Sequence, residues 1–180
     1  MKKIMFNDRY GLTQAVLNGT KTMTRRIIND YPAPAKYQPA YNVGEEIAIA
    51  QKYWDLRNCD AFYEALQKAD PTFPLECIKD EAGCHNKMFV RADLMEETIR
   101  ITDIQLQRLN NIIDEDCLKE GVEKWIDCYI VSGIMENQGK NNVCFDTPRE
   151  AFAALIDRIS GKGTWQRNPW VYVYTFELLR

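Results

Sequence analysis

The sequence predicts an α+β fold in which mixed or antiparallel strands curl into a β-barrel flanked by helices. Three observations carry this expectation. Helical and strand patterns do not alternate along the chain, as a doubly wound parallel sheet would require. Several helix starts and stops are marked by residues whose chemistry fits those positions. The 46% apolar and 27% charged fractions over 180 residues are those of a globular chain able to build its own core.

Taken in order, Asn7 or Asp8 is placed to cap a helix over 9–18, with Gly19 as its stop. Residues 22–28 alternate as a strand, with Thr22, Thr24 and Arg26 on one face and Met23, Arg25 and Ile27 on the other. Lys21 lies at the turn before that strand, outside its parity, so it is able to converge with Thr24. Pro32, Pro34 and Pro39 among aromatics mark an extended loop over 31–41. A strand is expected over 46–54, a short helix over 60–68 with Phe62, Ala65 and Leu66 on one side, and a surface insertion over 70–86. Residues 87–94 and 98–106 read as central strands, the second bulged near Thr102. Asp114 is expected to cap a helix through Glu120 that Gly121 stops, which puts Asp116 and Glu120 on one face. A polar, mobile loop is expected over 133–143. Thr147-Pro148-Arg149-Glu150 combines a cap, a first-turn proline and an acid at the third position, the start of a helix running to about Ser160. A loop over 161–169 then leads to a closing strand over 170–178. The whole reads as a single domain, 1–180, with insertions near 55–86 and 126–146.

Charge and cysteine content narrow the function classes. No apolar run is long enough to span a bilayer, and the basic start Met1-Lys2-Lys3 has no apolar stretch behind it. A cytoplasmic location and no membrane partner are the expectations. The six cysteines show no tight disulfide framework and are expected to be reduced. Cys77, Cys84 and His85 are the strongest zinc candidates, but their spacing is not that of a paired-cysteine site, so no metal and no cofactor are expected. The net charge is −3, yet residues 1–36 carry seven cations against two acids, leaving −8 for the remainder. A local basic site in an acidic chain points to a small anionic or nucleotide ligand, or a short RNA segment, rather than duplex DNA. With a single histidine, Ser-His-Asp machinery is hard to assemble. The glycine signatures of dinucleotide and P-loop sites are missing.

The densest cluster of chemistry is Gly19-Thr20-Lys21-Thr22-Met23-Thr24-Arg25-Arg26. It offers three cations and three hydroxyls at a helix-to-strand corner. A lysine in a partly apolar pocket can have its pKa lowered and act as a base toward a nearby hydroxyl. This stretch resembles the GxKxxTxR signature of the ASCH domain family, within the PUA-like superfamily. Val43-Gly44-Glu45-Glu46-Ile47 is similar to that family's entry to a barrel strand. Ile101 to Ile104 followed by Asp116 to Gly121 resembles its strand-to-helix segment. Asn168-Pro169-Trp170-Val171 resembles the closing strand of phage-type members. Gln51-Lys52 departs from the Arg-Glu that many of those members carry.

The resemblance implies a PUA-like barrel with a cleft for RNA or a modified nucleoside, at Lys21, Thr24 and Arg26. Gly19, Thr22 and Arg25 would complete that corner. It also implies an alternative, an amidohydrolase acting on N4-acylated cytidine, with Thr24 as nucleophile, Lys21 as its base and Glu120 as acidic partner, or Asp116 in its place. A third reading is a phage or mobile-element protein that works through protein contacts and keeps only a vestigial cleft. Tyr53, Trp54 and Trp165 are candidates for stacking a base. Oligomeric state is left open.

Overall fold

In the computed structural model of the chain, residues 1–28, 38–72, 75–136 and 141–179 are described, with backbone alone for 75–77. The expected extended loop around Pro32 and Pro34 lies outside the described residues, as does the Cys77 side chain. In chain order the elements are β1 (Lys2–Ile4), α1 (Leu12–Leu17), β2 (Met23–Ile27), β3 (Glu46–Ile49), α2 (Asp60–Ala69), β4 (Thr98–Arg108) and α3 (Asp114–Lys119). They continue with β5 (Glu123–Trp125), β6 (Cys128–Ile130), β7 (Met135–Glu136), β8 (Asn141–Asn142), α4 (Pro148–Ser160), α5 (Thr164–Arg167) and β9 (Trp170–Leu179). The chain gathers into two compact units. The first is Met1–Phe6, Glu46–Arg100 and Leu178–Arg180; the second is Asn7–Glu45 and Ile101–Glu177.

In the first unit β1 runs parallel to β3, with Lys2 opposite Ile47 and Ile4 opposite Ile49, and β3 pairs antiparallel with the start of β4. Phe62 and Leu66, four apart on α2, share a face and bury against Ala48, Tyr53, Val90, Leu94 and Met95. The segment expected to be an insertion therefore supplies core side chains. Gly83 lets the backbone cross the Tyr53 ring, because a Cβ there would lie 2.5 Å from Tyr53 Cε2. The strand expected over 87–94 is not formed. Two of its backbone donors go to side chains, Met88 N to Asn86 Oδ1 and Arg91 N to the Tyr53 hydroxyl, while Phe89 N and Leu94 N donate to the nearby Asn86 and Arg91 carbonyls. A short helical turn, Ala92–Leu94, follows. Side-chain acceptors outcompete the sheet ladder here, which apolar alternation alone does not reveal.

The second unit holds the candidate site. β2 pairs antiparallel with β9, from Met23 opposite Thr175 to Ile27 opposite Val171, and β4 flanks β9 on its other side. α4 starts with the expected capping box between Thr147 and Glu150 and buries Ala151, Phe152, Leu155 and Ile156. Asp114 is not the cap of α3. Ile113 occupies that position without a side-chain bond, and Asp114, Glu115 and Asp116 fill the first turn, where negative charge suits the helix end. The loop expected over 161–169 contains α5, because Asp157 accepts the Gly163 and Trp165 backbone N–H groups and pins that turn. Part of the loop expected over 133–143 is the ribbon of β7 and β8. Cys128 and Cys144 are joined by a disulfide, contrary to the expectation of reduced thiols. The reciprocal hydrogen bonds of Tyr129 and Phe145 bring the two cysteines together, a pairing no local sequence pattern announces. Among the described residues neither unit's strand order closes into a ring, since β2 and β1 each have one neighbour. The fold class is mixed α+β, and a closed barrel is not found among these strands.

Candidate functional site

The corner at Lys21 is built by the end of α1. Gly19 takes φ +76°, a left-handed conformation that suits glycine. The next two backbone N–H groups, of Thr20 and Lys21, both donate to Ala15 O, and the Thr20 hydroxyl adds a third bond. Thr22 N donates to Lys119 O, so β2 begins already tied to α3. Gly19 and Thr22 therefore serve the turn itself.

Lys21 is only 2% exposed. Its Nζ donates to Met23 O at 2.7 Å, to Glu120 O at 2.8 Å and to Glu120 Oε2 at 2.8 Å. Three acceptors match the three hydrogens of an ammonium. Arg25 shares the carboxylate. Its Nη1 donates to Glu120 Oε1 at 3.1 Å and its Nη2 to Asp116 Oδ2 at 2.9 Å. Asp116 and Glu120 do lie on one face of α3, as their spacing predicts, and there they hold two cations. Gly121, at φ +102°, stops the helix and lets Leu12 approach; a Cβ there would sit 2.7 Å from Leu12 Cδ2 and 3.8 Å from Lys21 Cδ. Burial pushes the Lys21 pKa down and the Glu120 carboxylate pulls it partly back, with Arg26 and Arg25 lowering it further; the net position is below the ordinary lysine value. Arg25 Nε is buried with no hydrogen-bond partner.

Within β2, Thr24 and Arg26 face the other way from Arg25. Thr24 is buried and lies opposite Tyr174, while Arg26 is exposed and lies opposite Tyr172. Tyr41 sets its edge against Tyr174 with ring centroids 5.3 Å apart, and Tyr172 lies 6.2 Å from Tyr174. The Tyr174 hydroxyl accepts from Ala40 N at 2.9 Å. Burial raises the Tyr41 pKa, and the nearby Arg26 charge opposes that rise. One face of the β2–β9 pair thus carries the exposed Arg26 with the half-buried Tyr41 and Tyr172, and the buried Tyr174 and Thr24.

The motif is therefore split by strand alternation. The structure brings together Lys21, Arg25, Asp116 and Glu120. Thr24 and Arg26 belong to the opposite face of β2. Sequence reasoning did not assign Tyr41, Tyr172 and Tyr174; the two-residue spacing of Tyr172 and Tyr174, in step with Thr24 and Arg26, is the signal that would have found the last two. Trp165 is half-buried, with Arg149 over its ring at 5.1 Å and Phe152 edge-on at 6.1 Å. Tyr53 and Trp54 belong to the first unit. Tyr53 is core, and Trp54 is 47% exposed with Arg57 over its ring at 4.5 Å. A groove of about 670 Å³ beside the corner is lined by Gln14, Asn18, Thr20, Leu118, Lys124 and Ser132. No group of three metal-ligating side chains occurs among the described residues.

No family model matches the chain, and no curated protein matches it. Among solved structures the chain is similar to protein EF3133 from Enterococcus faecalis V583, described as family-model DUF984, with a TM-score of 0.48 and 13% identity. The match covers 99% of this chain and 80% of that one. A likeness of that size carries no argument about function, so the functional reading rests on the site.

Proposed function

We propose that this chain binds a nucleoside or a short single-stranded RNA at the Lys21–Thr24–Arg26 corner, with the β2–β9 face as the contact surface. The observation that carries this reading is the exposed Arg26 in register with Tyr172 and beside Tyr41. A guanidinium supplies phosphate or carbonyl recognition, and a tyrosine ring supplies a stacking face that every base can use. The buried Lys21–Glu120–Arg25–Asp116 network acts behind that face. It ties β2 to α3 and so holds Arg26 and Thr24 in fixed positions. Lys21 and Glu120 are then positioning residues.

One observation favours the amidohydrolase as a second reading. A lysine held below its ordinary pKa beside a carboxylate is the right kind of base for a threonine nucleophile. That reading requires Lys21 Nζ, which donates to Met23 O and to Glu120, to take the proton of the Thr24 hydroxyl.

Titration of the full chain with a fluorescent single-stranded RNA, and with cytidine and N4-acetylcytidine, tests both. Binding should weaken about 5- to 150-fold in Tyr172→Ala, the loss of about 1–3 kcal/mol expected for one stacked base. Arg26→Ala should weaken it as well, with the circular dichroism of both variants unchanged. Absence of binding to any of these ligands at millimolar concentration removes the reading and favours a protein-contact role. Release of cytidine from N4-acetylcytidine by wild type but not by Thr24→Val supports the second reading; no turnover removes it for that substrate.

A further inference from the structure

We propose that Cys128 and Cys144 form a reversible thiol–disulfide exchange site, reached by a small thiol at the Cys144 sulfur, that holds the segment after β6 against the approach to α1. The two Cα atoms are 5.6 Å apart, inside the range a disulfide spans, and the residues are separated by 16 positions. Cys144 is exposed and Cys128 half-buried, whereas Cys84 and Cys117 are buried. An external thiolate can therefore reach this disulfide from the Cys144 side. The bridge is not needed to make folding possible, because 180 residues with two sets of buried apolar side chains exceed the size at which a domain depends on staples. It also joins positions whose neighbours Tyr129 and Phe145 already exchange two backbone hydrogen bonds, at 2.9 and 2.8 Å. A covalent link on an exposed ribbon that is already paired adds control rather than a missing contact.

What it controls is the packing of the segment just inside the closed loop. Val131 and Ile134 are buried. Ser132 lies so close to Gly11 that a Cβ on the glycine would sit 3.2 Å from both Ser132 Cβ and Oγ. Gly133, at φ +77°, packs its α-carbon on Arg9 O. Ser132 is also one wall of the groove beside α1. Opening the bridge leaves these contacts to local packing alone.

The chemistry balances with a thiol as the only co-reactant. A small thiolate attacks Cys144 Sγ, the Sγ–Sγ bond breaks, and Cys128 leaves as a thiolate that takes up a proton. A second equivalent of thiol attacks the mixed disulfide, releasing the Cys144 thiol and a small-molecule disulfide. Two electrons and two protons are transferred in all, and the reverse sequence re-forms the bridge.

The test uses the full chain equilibrated in oxidised or in reduced dithiothreitol, followed by alkylation and mass mapping of each cysteine and by hydrogen exchange over 131–134. In the oxidised buffer Cys128 and Cys144 should be protected from alkylation together, and in the reduced buffer both should react. Exchange over 131–134 should accelerate by up to about a hundredfold on reduction, the effect of releasing a loop of this size. Cys144→Ser should exchange at the reduced rate in both buffers. Full alkylation of both cysteines in the oxidised buffer overturns the proposal. So does wild-type exchange over 131–134 that is identical in the two buffers, a comparison that needs no variant to fold.

Discussion

Glu120 accepts from two cations at once, Lys21 through Oε2 and Arg25 through Oε1, in a place where all three side chains are almost fully buried. Removing one member leaves charge that water does not reach, and this is why buried pairs cost more to break than to form. Lys21→Met keeps the stem that packs near Gly121 and deletes only the charge. It should destabilise the fold by about 3–5 kcal/mol in denaturant titration; a loss below about 1 kcal/mol would mean that Arg25 alone satisfies Glu120. The pH dependence has a definite sign. Burial holds the Lys21 ammonium below its ordinary 10.5. The unfolded chain then binds that proton more tightly than the folded chain does. Between the folded pKa and 10.5, stability should rise with pH in wild type relative to Lys21→Met. Lys21 and Glu120 were legible as partners only through the family resemblance, which set an acid just before the glycine that follows α3. The part of Arg25 was not readable, since strand parity only says which residues share a face, and the partner that faces them comes from ninety positions away along the chain.

At the scale of elements, several helix boundaries that the chain announces locally formed, although the expected Asp114 cap did not. Gly19 and Gly121 stop their helices in left-handed conformations, and the Thr147–Glu150 box opens α4. These signals depend on neighbours within four residues, so the sequence carries them whole. The strand expected over 87–94 failed for the opposite reason. Its outcome depended on the Tyr53 hydroxyl and the Asn86 side chain, one of them distant in sequence. The α3–Gly121 junction makes a testable case, because it positions Glu120. Gly121→Ala puts a methyl group into Leu12 Cδ2 and forces a left-handed φ on a residue that disfavours it. The expected cost is about 2–4 kcal/mol, above the ~1–2 kcal/mol of the φ alone, and Leu12→Ala in the same chain should recover part of the difference. Thermal unfolding of the two single variants and the double variant measures this. Strict additivity would show that Leu12 and Gly121 do not press on one another as the structure places them.

Across the whole molecule, charge was easier to read than closure. A barrel depends on which distant strands meet, and pairings such as parallel β1 with β3 leave no trace in either segment. The charge division is written directly in the chain, with a net −3 that conceals a cationic first fifth. The fold then withdraws two of those seven cations from solvent, both of them in the motif. Lys21 and Arg25 are spent on Glu120 and Asp116, and Arg26 is the member of the motif that reaches the surface. Long-range attraction by a net acidic protein is weak, so ligand affinity should come from short-range contacts and depend only mildly on salt. For a single-stranded ligand each neutralised phosphate contributes about −0.7 to the slope of log K against log salt. A site with one or two such contacts predicts a slope of about −0.7 to −1.4, and Arg26→Ala should make it shallower by about 0.7. Lys21→Met, placed behind the surface, should weaken binding through misplacement of β2 while leaving the slope unchanged. A steep wild-type slope near −4, or a slope change in Lys21→Met equal to that in Arg26→Ala, would place the phosphate contacts somewhere other than the β2–β9 face.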